Sequence, residues 1–521
     1  MSESRFCRTN LGILRGAIPG QHAKRGVFSY RSIRVFELNR KTFRRDLRIK
    51  SQRNSANFFS REQEAQAADH PITSVYVNLS HGVFSVTGDL AYPQALPHGF
   101  AALKAAGVDG VAVPVAWGLV EADGPQQYDF GVYQQIAGML RDAGLRMQPR
   151  LEFCIAEGIA GVPPWLLHIA DSDPDIFFRD QYGNVLGDCL SIGVDNEEAV
   201  GGRSAIGIYG DLMEAFRECF SADLGSLITD VVVGAGPHGE LRYPSYPRGR
   251  WHFPGVGEFQ CYDRRMLESL SQAAREAGEP SWGRRGPQDA GHYCMWPRDT
   301  AFFADEGSWR SEYGDFFLRW YSEQLLQHGD LLLGAARRVF GQSAAVGLKL
   351  PVVHWWYHTP SHAAELTAGI YNSANNDGYK PIVDIAAGHR AFLQLSCAEM
   401  KNEDQRPEAK CGPEDIIQKV RGQAAAAGVP VGLENNFHRF DDRCFEQLRK
   451  ATLDPSFANT KCLTYNAMGD ELFKGYHWGK FSHFIHDLVA CKEPPSAVQK
   501  AASPATAAAN VHRTNSWFGF W

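Results

Sequence analysis

The sequence predicts an α/β fold in which eight parallel strands and their helices form a (β/α)8 TIM barrel. Short apolar runs alternate with helix-like stretches eight times between Ile72 and Met468, which is typical of repeated parallel β/α units. No glycine-rich phosphate loop follows the first run, and this disfavours a dinucleotide-binding sheet. Two connections are too long for ordinary loops, and we expect them to form a lobe over the carboxyl-terminal ends of the strands.

Eight segments have the apolar pattern of buried strands. In chain order they are Ser74–Ser80, Gly110–Trp117, Arg146–Phe153, Ile228–Ala235, Ala345–Trp356, Ala391–Cys397, Val429–Asn435 and Cys462–Met468. Helical signals lie between them at Pro97–Ala106, Tyr133–Ala143, Leu212–Phe220, Phe316–Phe340 and Cys444–Thr452. The two long connections run from Glu157 to Leu227 and from Arg242 to Arg310.

Composition excludes several classes of protein. The chain has 521 residues, of which 44% are hydrophobic, so it is long enough to bury a large core. No run approaches the ~18 apolar residues of a membrane span, and we expect no membrane partner. The eleven cysteines have no C-x-x-C or other paired spacing. This argues against a zinc site and a disulfide framework, and it favours a reducing compartment.

The amino-terminal segment differs in charge from the rest. Residues 1–56 contain fourteen Lys and Arg, against only Glu3, Glu37 and Asp46. An Arg-rich, acid-poor leader without an apolar region resembles an organelle transit peptide; a nucleic-acid-binding arm and a disordered tail are the alternatives. The acidic remainder of the chain speaks against nucleic acid. We predict a leader at 1–70, a catalytic domain at 71–491 and a low-complexity tail at 492–521.

Two glutamates lie at the ends of predicted strands, where such barrels carry their chemistry. Glu240 follows the fourth strand and Glu434 ends the seventh. Taken alone, Glu240 is better explained as a structural ion-pair partner of Arg242. Two carboxylates across one cleft are what glycoside hydrolysis requires, because one protonates the leaving oxygen and one activates water or attacks carbon. The separation of the carboxylates decides between inversion and retention, and spacing in the sequence leaves both open.

Other strand ends carry polar and aromatic residues. Lys349 lies on an apolar strand, where its ammonium needs a buried carboxylate or a network of substrate hydroxyls. His354, Trp355 and Trp356 suit either an aromatic core or a platform on which sugar rings stack. Ser396 alone is an ordinary strand-end hydroxyl.

Several blocks of sequence resemble the β-amylases of glycoside hydrolase family 14. They are Gly107–Val111, Ser172–Phe177, Leu190–Asn196, Gly236–Pro247, Phe253–Asp263, His354–Tyr357 and Ala363–Gly369. The resemblance covers about residues 73–488. It implies an inverting enzyme that hydrolyses (1→4)-α-glucosidic bonds from the non-reducing ends of starch-type glucans and releases β-maltose. It implies no metal or other cofactor, and starch, maltodextrin or maltose as the partner.

The resemblance also implies roles for individual residues. Glu240 falls on the general acid of the family and Glu434 on its general base. A further set is predicted to bind substrate, with Trp355 as a stacking residue: Lys349, His354, Trp355, Ser396, Asn435 and Asn436. Together with the leader, the resemblance predicts a plastid-type enzyme located in the chloroplast; the alternative location is the cytoplasm.

Departures from the family pattern cluster around the predicted pocket. Pro114 replaces a sugar-binding aspartate, and Cys154 replaces a histidine. The glycine-rich lid that follows is shortened to Ile155–Val162, whereas Ser396 replaces a threonine and keeps its hydroxyl.

The departure on the eighth strand concerns the general base. Ala467 stands where the family has an arginine, and we therefore expect burial to raise the pKa of Glu434 without compensation. These losses keep a second hypothesis open, namely a catalytically inactive relative that binds glucan or maltose as a regulator. A third hypothesis is a retaining barrel glycosidase with the same two glutamates.

Overall fold

The computed structural model describes residues 73–85, 88–154 and 161–490. The predicted leader at 1–70, positions 155–160 of the predicted lid and the tail at 492–521 lie outside the described residues. Every element named below falls within the predicted catalytic domain at 71–491. Within the described ranges, no helix combines the length and apolar character that crossing a bilayer requires.

The strands form a closed parallel barrel, as predicted. The described residues contain β1 (Ser74–Leu79), β2 (Gly110–Ala116), β3 (Arg146–Glu152), β4 (Phe177–Arg179), β5 (Val185–Leu190), β6 (Asp230–Val233), β7 (Ala345–Leu350), β8 (Phe392–Leu395), β9 (Val431–Glu434) and β10 (Thr460–Met468). The barrel order is β1-β2-β3-β6-β7-β8-β9-β10, and β10 pairs with β1. Strands β4 and β5 form a separate antiparallel pair. The eight carboxyl-terminal strand ends therefore share one mouth.

Helices follow most strands of the barrel. The described helices are α1 (Leu96–Ala105), α2 (Trp117–Val120), α3 (Gly131–Ala143), α4 (Trp165–Ala170), α5 (Ala205–Cys219), α6 (Arg264–Glu276), α7 (Glu312–Phe340), α8 (Ala363–Thr367), α9 (Lys380–Gly388), α10 (Pro413–Ala426), α11 (Asp442–Thr452), α12 (Asp470–Phe473) and α13 (Gly475–Ala490). All five predicted helices are present, and each begins earlier than predicted, from one residue earlier in α1 to seven residues earlier in α5. The side chains of Ser204, Ser311 and Asp441 cap the starts of α5, α7 and α11, and a capping hydrogen bond is not part of the apolar pattern from which the starts were predicted.

The predicted fifth strand is too long at its carboxyl end. Strand β7 ends at Leu350, whereas the apolar run extends to Trp356. Pro351 follows Leu350, and proline has no backbone N–H to continue the ladder of hydrogen bonds. His354 and Trp355 therefore lie on the loop that leaves β7, at the mouth of the barrel.

The long connections contribute structure at the same end of the barrel. The connection between β3 and β6 contains the β4–β5 pair together with α4 and α5. The connection that begins at Arg242 contains α6 and packs against the loop after β7, because the Trp355 indole N–H donates to the Gly255 carbonyl at 3.0 Å. This contact places the second connection beside the strand ends.

The barrel interior is tightly packed around buried polar groups. The Gln394 side chain is fully buried and donates to the Leu433 carbonyl at 3.1 Å. Gly432 on β9 allows this arrangement, because a Cβ there would lie 2.0 Å from Gln394 Oε1 and 2.8 Å from Cys462 Sγ. Strand β9 can therefore approach its neighbours only with glycine at this position.

We expect Gly432→Ala to destabilise the protein by about 1–3 kcal/mol, because the added methyl group overpacks the barrel interior. Gly422→Ala is the matched control, since Gly422 lies within α10 with no atom within 4 Å of an added Cβ. Alanine favours helix over glycine by about 1 kcal/mol, so the control should be neutral or stabilising. Urea unfolding compares the two variants, and equal destabilisation would contradict the packing argument.

Candidate active site

The two predicted catalytic glutamates lie at the mouth of the barrel on strand ends that Lys349 connects. Glu434 is the last residue of β9. Glu240 follows β6 and forms an isolated parallel bridge with Lys349 of β7, and the Leu241 N–H donates to the Lys349 carbonyl at 2.9 Å. The Lys349 ammonium in turn lies 3.2 Å from Glu434 Oε1. Lys349 thus contacts one glutamate through its side chain and the other through its backbone.

Glu434 is a buried carboxylate that three side chains bind. Arg150 donates to Oε2 at 2.7 Å, and Lys349 and Asn466 donate to Oε1 at 3.2 and 2.8 Å. The Glu434 side chain is only 2% exposed. Burial is the largest influence and raises its pKa, but Arg150, Lys349 and the hydrogen bonds outweigh it and lower the pKa to about 2. Glu434 is therefore ionised at neutral pH, as a general base must be.

The expectation that Glu434 would have a raised pKa is wrong. Ala467 does lack a cation, but Arg150 reaches the carboxylate from β3, on another part of the barrel. The sequence analysis missed Arg150 because it considered the strand ends alone. The available signal was an arginine within an apolar strand, placed two residues from both Gln148 and Glu152 and so on the same face of β3.

Glu240 has a different environment from Glu434. Its Oε2 accepts from Arg242 Nε at 2.8 Å, and its Oε1 accepts from the Ser396 hydroxyl at 3.4 Å. Its side chain is 14% exposed. Burial is the largest influence and raises its pKa, but Arg242, Lys349 and His238 outweigh it, so the pKa lies below its ordinary value. Glu240 forms the predicted ion pair with Arg242 and also lies at the strand ends. A structural ion pair and a place in the predicted catalytic pocket are therefore compatible for this residue.

The predicted aromatic residues form one wall beside the strand ends. Trp355 is buried, and its ring centroid lies 4.9 Å from that of Tyr246 and 5.2 Å from that of Trp251. His354 lies next to it, and burial lowers the pKa of its imidazole to about 4, so the ring is neutral at neutral pH. The ring of Phe253 is 6.2 Å from that of His354 and is partly exposed. Phe253 therefore presents an aromatic surface at the edge of this wall.

The two asparagines after Glu434 differ in what their side chains contact. Asn435 is fully buried, and its amide donates to the carbonyls of Phe437 and Asn466 and accepts from the Asn466 N–H. The Asn436 side chain is exposed, while its backbone N–H donates to the Glu399 carboxylate at 3.1 Å. The Asn435 amide thus joins β9 to β10, and the Asn436 side chain remains accessible.

A second charged pair, which the sequence analysis did not identify, lies beside this cluster. His81 Nε2 is 2.7 Å from Glu152 Oε2, and Glu152 is the last residue of β3. Burial is the largest influence on both groups, but their mutual attraction outweighs it, so the pKa of His81 is raised and that of Glu152 is lowered. Arg150 and Lys349 act on both groups as well. The charged network therefore extends from Glu434 to the end of β3.

Comparison with known proteins decides the family. Residues 76–494 match the family model of glycosyl hydrolase family 14. The chain belongs to this family. It is 42% identical over 412 residues to β-amylase 1, chloroplastic, of Arabidopsis thaliana, covering 76% of this chain and 72% of the relative. It is 39% identical over 443 residues to the β-amylase of Glycine max, covering 82% of this chain and 89% of the relative.

A solved structure supports the fold. The catalytic domain of β-amylase from Paenibacillus polymyxa aligns with a TM-score of 0.67 and 23% identity, over 82% of this chain and all of that chain. The predicted membership of family 14 and the predicted (β/α)8 barrel are both confirmed. In the described part of the chain, no group of three or more His, Cys, Asp or Glu side chains is placed to hold a metal ion.

One departure of this family 14 chain, Pro114, lies on the strand beside the charged residues of β3. The parallel pairing of β2 with β3 sets Pro114 opposite Arg150 and Ala116 opposite Glu152. Strand β2 therefore carries no charge at these positions, and its neighbour supplies both a cation and a carboxylate. Pro114 and Ala116 on β2 are thus the register neighbours of the two charged residues on β3.

Cys154, the departure at the end of β3, forms a disulfide bond with Cys189 of β5. The expectation of unpaired cysteines is wrong for this pair, because a separation of 35 residues matches no sequence signature. The other described cysteines are free thiols. The bond joins a barrel strand to the β4–β5 pair. Residues 155–160 of the predicted lid, which follow Cys154, lie outside the described part of the chain.

We expect Asn435→Ala to destabilise the protein by about 1–3 kcal/mol, because it removes the partners of the Phe437 carbonyl and of the Asn466 N–H and carbonyl. Asn436→Ala is the matched control and should change stability by less than about 0.5 kcal/mol, since its side chain is exposed. Urea unfolding of both variants measures the difference. Equal stability of the two variants would show that the Asn435 amide does not join β9 to β10.

The free energy of unfolding should depend on the charge of Glu434. Because the folded pKa is lowered from 4.5 to about 2, the ionised group contributes stability that is full above pH 4.5 and is lost as the pH falls. The stability difference between the natural chain and Glu434→Gln should therefore shrink by roughly 1 kcal/mol per pH unit below that value. Urea unfolding at several pH values tests this, and a constant difference would contradict the lowered pKa.

Proposed function

We propose that Glu240 and Glu434 are the general acid and general base with which this family 14 glycoside hydrolase performs the β-amylase reaction. The enzyme hydrolyses (1→4)-α-glucosidic bonds at the non-reducing ends of starch-type glucans and releases β-maltose with inversion. The observation that carries this proposal is the unequal environment of two carboxylates at one barrel mouth. Glu434 contacts two cations and an amide, whereas Glu240 contacts one cation and a hydroxyl.

This difference supports Glu240 as the acid. A carboxylate that receives more positive charge and more hydrogen bonds retains its negative charge more strongly, so Glu240 takes up a proton more readily than Glu434 does. A glucan in the pocket also replaces the water around the more exposed Glu240, and this desolvation raises its pKa toward the value that an acid needs. Glu240 then protonates the glycosidic oxygen, while Glu434 takes a proton from the water that attacks the anomeric carbon from the opposite face.

The remaining predicted residues bind and orient the sugar in this proposal. The aromatic wall around Trp355 offers ring faces on which pyranose C–H groups pack. His354 is neutral at neutral pH, so it can donate or accept a hydrogen bond with a sugar hydroxyl. Lys349 and Ser396 lie against the two glutamates and are placed to contact hydroxyls near the cleaved bond. The Asn436 side chain is accessible, whereas the Asn435 amide supports the loop that carries it.

We place the protein in the plastid. The Arg-rich, acid-poor sequence of residues 1–70 supports this location, and relatives at 41–42% identity are named as chloroplastic β-amylases. Starch or maltodextrin is the corresponding substrate. Neither a nucleic acid nor a membrane is part of this proposal.

We expect the purified protein to release maltose from soluble starch, with the β-anomer appearing first. Anomeric analysis by NMR of the fresh product measures this. An α-anomeric product would favour retention, and long oligosaccharides at early times would contradict attack from chain ends. Maltodextrin binding in calorimetry without any turnover would favour the inactive, regulatory alternative instead.

The same assay tests the two glutamates. Glu240→Gln and Glu434→Gln should each reduce kcat by at least about 100-fold, because the acid and the base act in one step. Glu446→Gln is the matched control, since Glu446 is exposed on α11, and it should leave kcat unchanged.

A further inference from the structure

We propose that Arg150 is the positioning residue of this site: from β3, opposite β9, it orients Glu434 and holds its negative charge. The neighbouring strand β10 gives Glu434 the Asn466 amide but no cation at Ala467. The inference rests on the proposed role of Glu434 as the general base. It assigns to Arg150 the role of the cation beside Glu434, which could not be predicted from the sequence because Ala467 carries no charge. The contact depends on an arginine at a position inside β3.

The barrel topology allows this contact. In the order β1-β2-β3-β6-β7-β8-β9-β10, β3 lies four strands from β9 in either direction and is therefore directly opposite. Arg150 projects from β3 across the interior, and its NH2 group reaches Glu434 Oε2 at 2.7 Å. The side chains are 7% and 2% exposed. A charge-assisted bond of this length between two buried groups orients both of them.

The two oxygens of Glu434 are bound from different sides. Arg150 binds Oε2, while Lys349 and Asn466 bind Oε1. Without Arg150, the carboxylate could turn about its last side-chain bond, and Oε2 would lose its partner. In the described part of the chain, Glu434 is the only carboxylate within ion-pair distance of Arg150.

The other titratable groups around Glu434 cannot replace this cation. Lys349 also lies beside Glu240 and acts on its charge, so its positive charge is shared between the two carboxylates. Cys462 on the neighbouring β10 has a pKa raised to about 12, so it is a neutral thiol at working pH. In the described part of the chain, Arg150 thus forms its ion pair with Glu434, at 2.7 Å, while Glu152 is paired with His81.

The kinetic test compares Arg150→Gln with the natural enzyme on soluble starch. We expect the acidic limb of kcat/KM to move to higher pH by about one unit or more, because loss of an adjacent cation raises the pKa of the base. Adding Ala467→Arg to Arg150→Gln should move the limb back toward its original pH. An unmoved limb in a folded, active Arg150→Gln variant would overturn the proposal.

Two further variants separate positioning from general effects on the fold. Arg146→Gln is the matched control, because Arg146 lies at the other end of β3 and contacts Ser74; its limb should not move. Arg150→Lys retains the charge without the guanidinium geometry, so we expect an unmoved limb and a kcat reduced by about tenfold or more. A limb that shifts in Arg150→Lys as far as in Arg150→Gln would overturn the electrostatic role.

A measurement without substrate keeps the proposal independent of the starch reaction. The stability difference caused by Glu434→Gln is followed against pH in the natural chain and in the Arg150→Gln chain by urea unfolding. In the natural chain, this stability difference changes between the folded and the unfolded pKa of Glu434. In the Arg150→Gln chain, we expect it to change over a narrower range of pH, because the two pKa values then lie closer together. Identical plots of this stability difference against pH in the two chains would overturn the proposed ion pair between Arg150 and Glu434. A chain that shows this coupling but no starch hydrolysis would instead contradict only the proposed function.

Discussion

A buried negative charge on Glu434 is the constraint around which the mouth of the barrel is organised. Moving a carboxylate out of water costs several kcal/mol unless cations and hydrogen bonds surround it. Arg150, Lys349 and Asn466 meet this requirement from β3, β7 and β10. Because removing one partner leaves the others buried and uncompensated, these strands must keep their relative positions to within hydrogen-bond distance. The closed barrel provides that rigidity.

The environment of Glu240 follows from the same arrangement. Glu240 is bound to β7 through the backbone of Lys349, so the residue that stabilises one carboxylate also fixes the position of the other. Glu240 nevertheless remains more exposed than Glu434 and has fewer charged contacts. One carboxylate is thus held in its ionised form, while the other can change its protonation when a ligand replaces water. Unequal environments of this kind are how a pair of carboxylates acquires two roles.

The pocket wall shows how the departures of this chain from the family pattern can balance one another. Pro114 removes a possible charge from β2, and its partner in the register is Arg150. Ala467 likewise provides no cation on β10, and Arg150 supplies one from β3, the strand opposite β9. The connection after Arg242 completes the aromatic wall of the pocket. Its Gly255 and Pro254 carbonyls accept from the indole N–H groups of Trp355 and Trp356. Arg150 thus lies in register with Pro114 and is paired with Glu434.

The sequence by itself determined the barrel, the family and the two glutamates. These features depend on local information, since the alternation of strands and helices is periodic and Glu240 lies inside a contiguous block of twelve residues. Capped helix starts and the proline after β7 shifted the boundaries, because hydrogen bonding and not apolar character ends those elements.

Only the tertiary structure decided which side chains surround Glu434. Arg150 and Glu434 are 284 residues apart, and nothing in their spacing shows that barrel closure sets their strands opposite each other. The same holds for the Cys154–Cys189 bond and for the Asn435 amide, which contacts the backbone of the next strand. Each of these contacts depends on how strands pack around a closed barrel. The charge state of Glu434 follows from distances across that barrel, and the residues nearest to it in sequence do not reveal it.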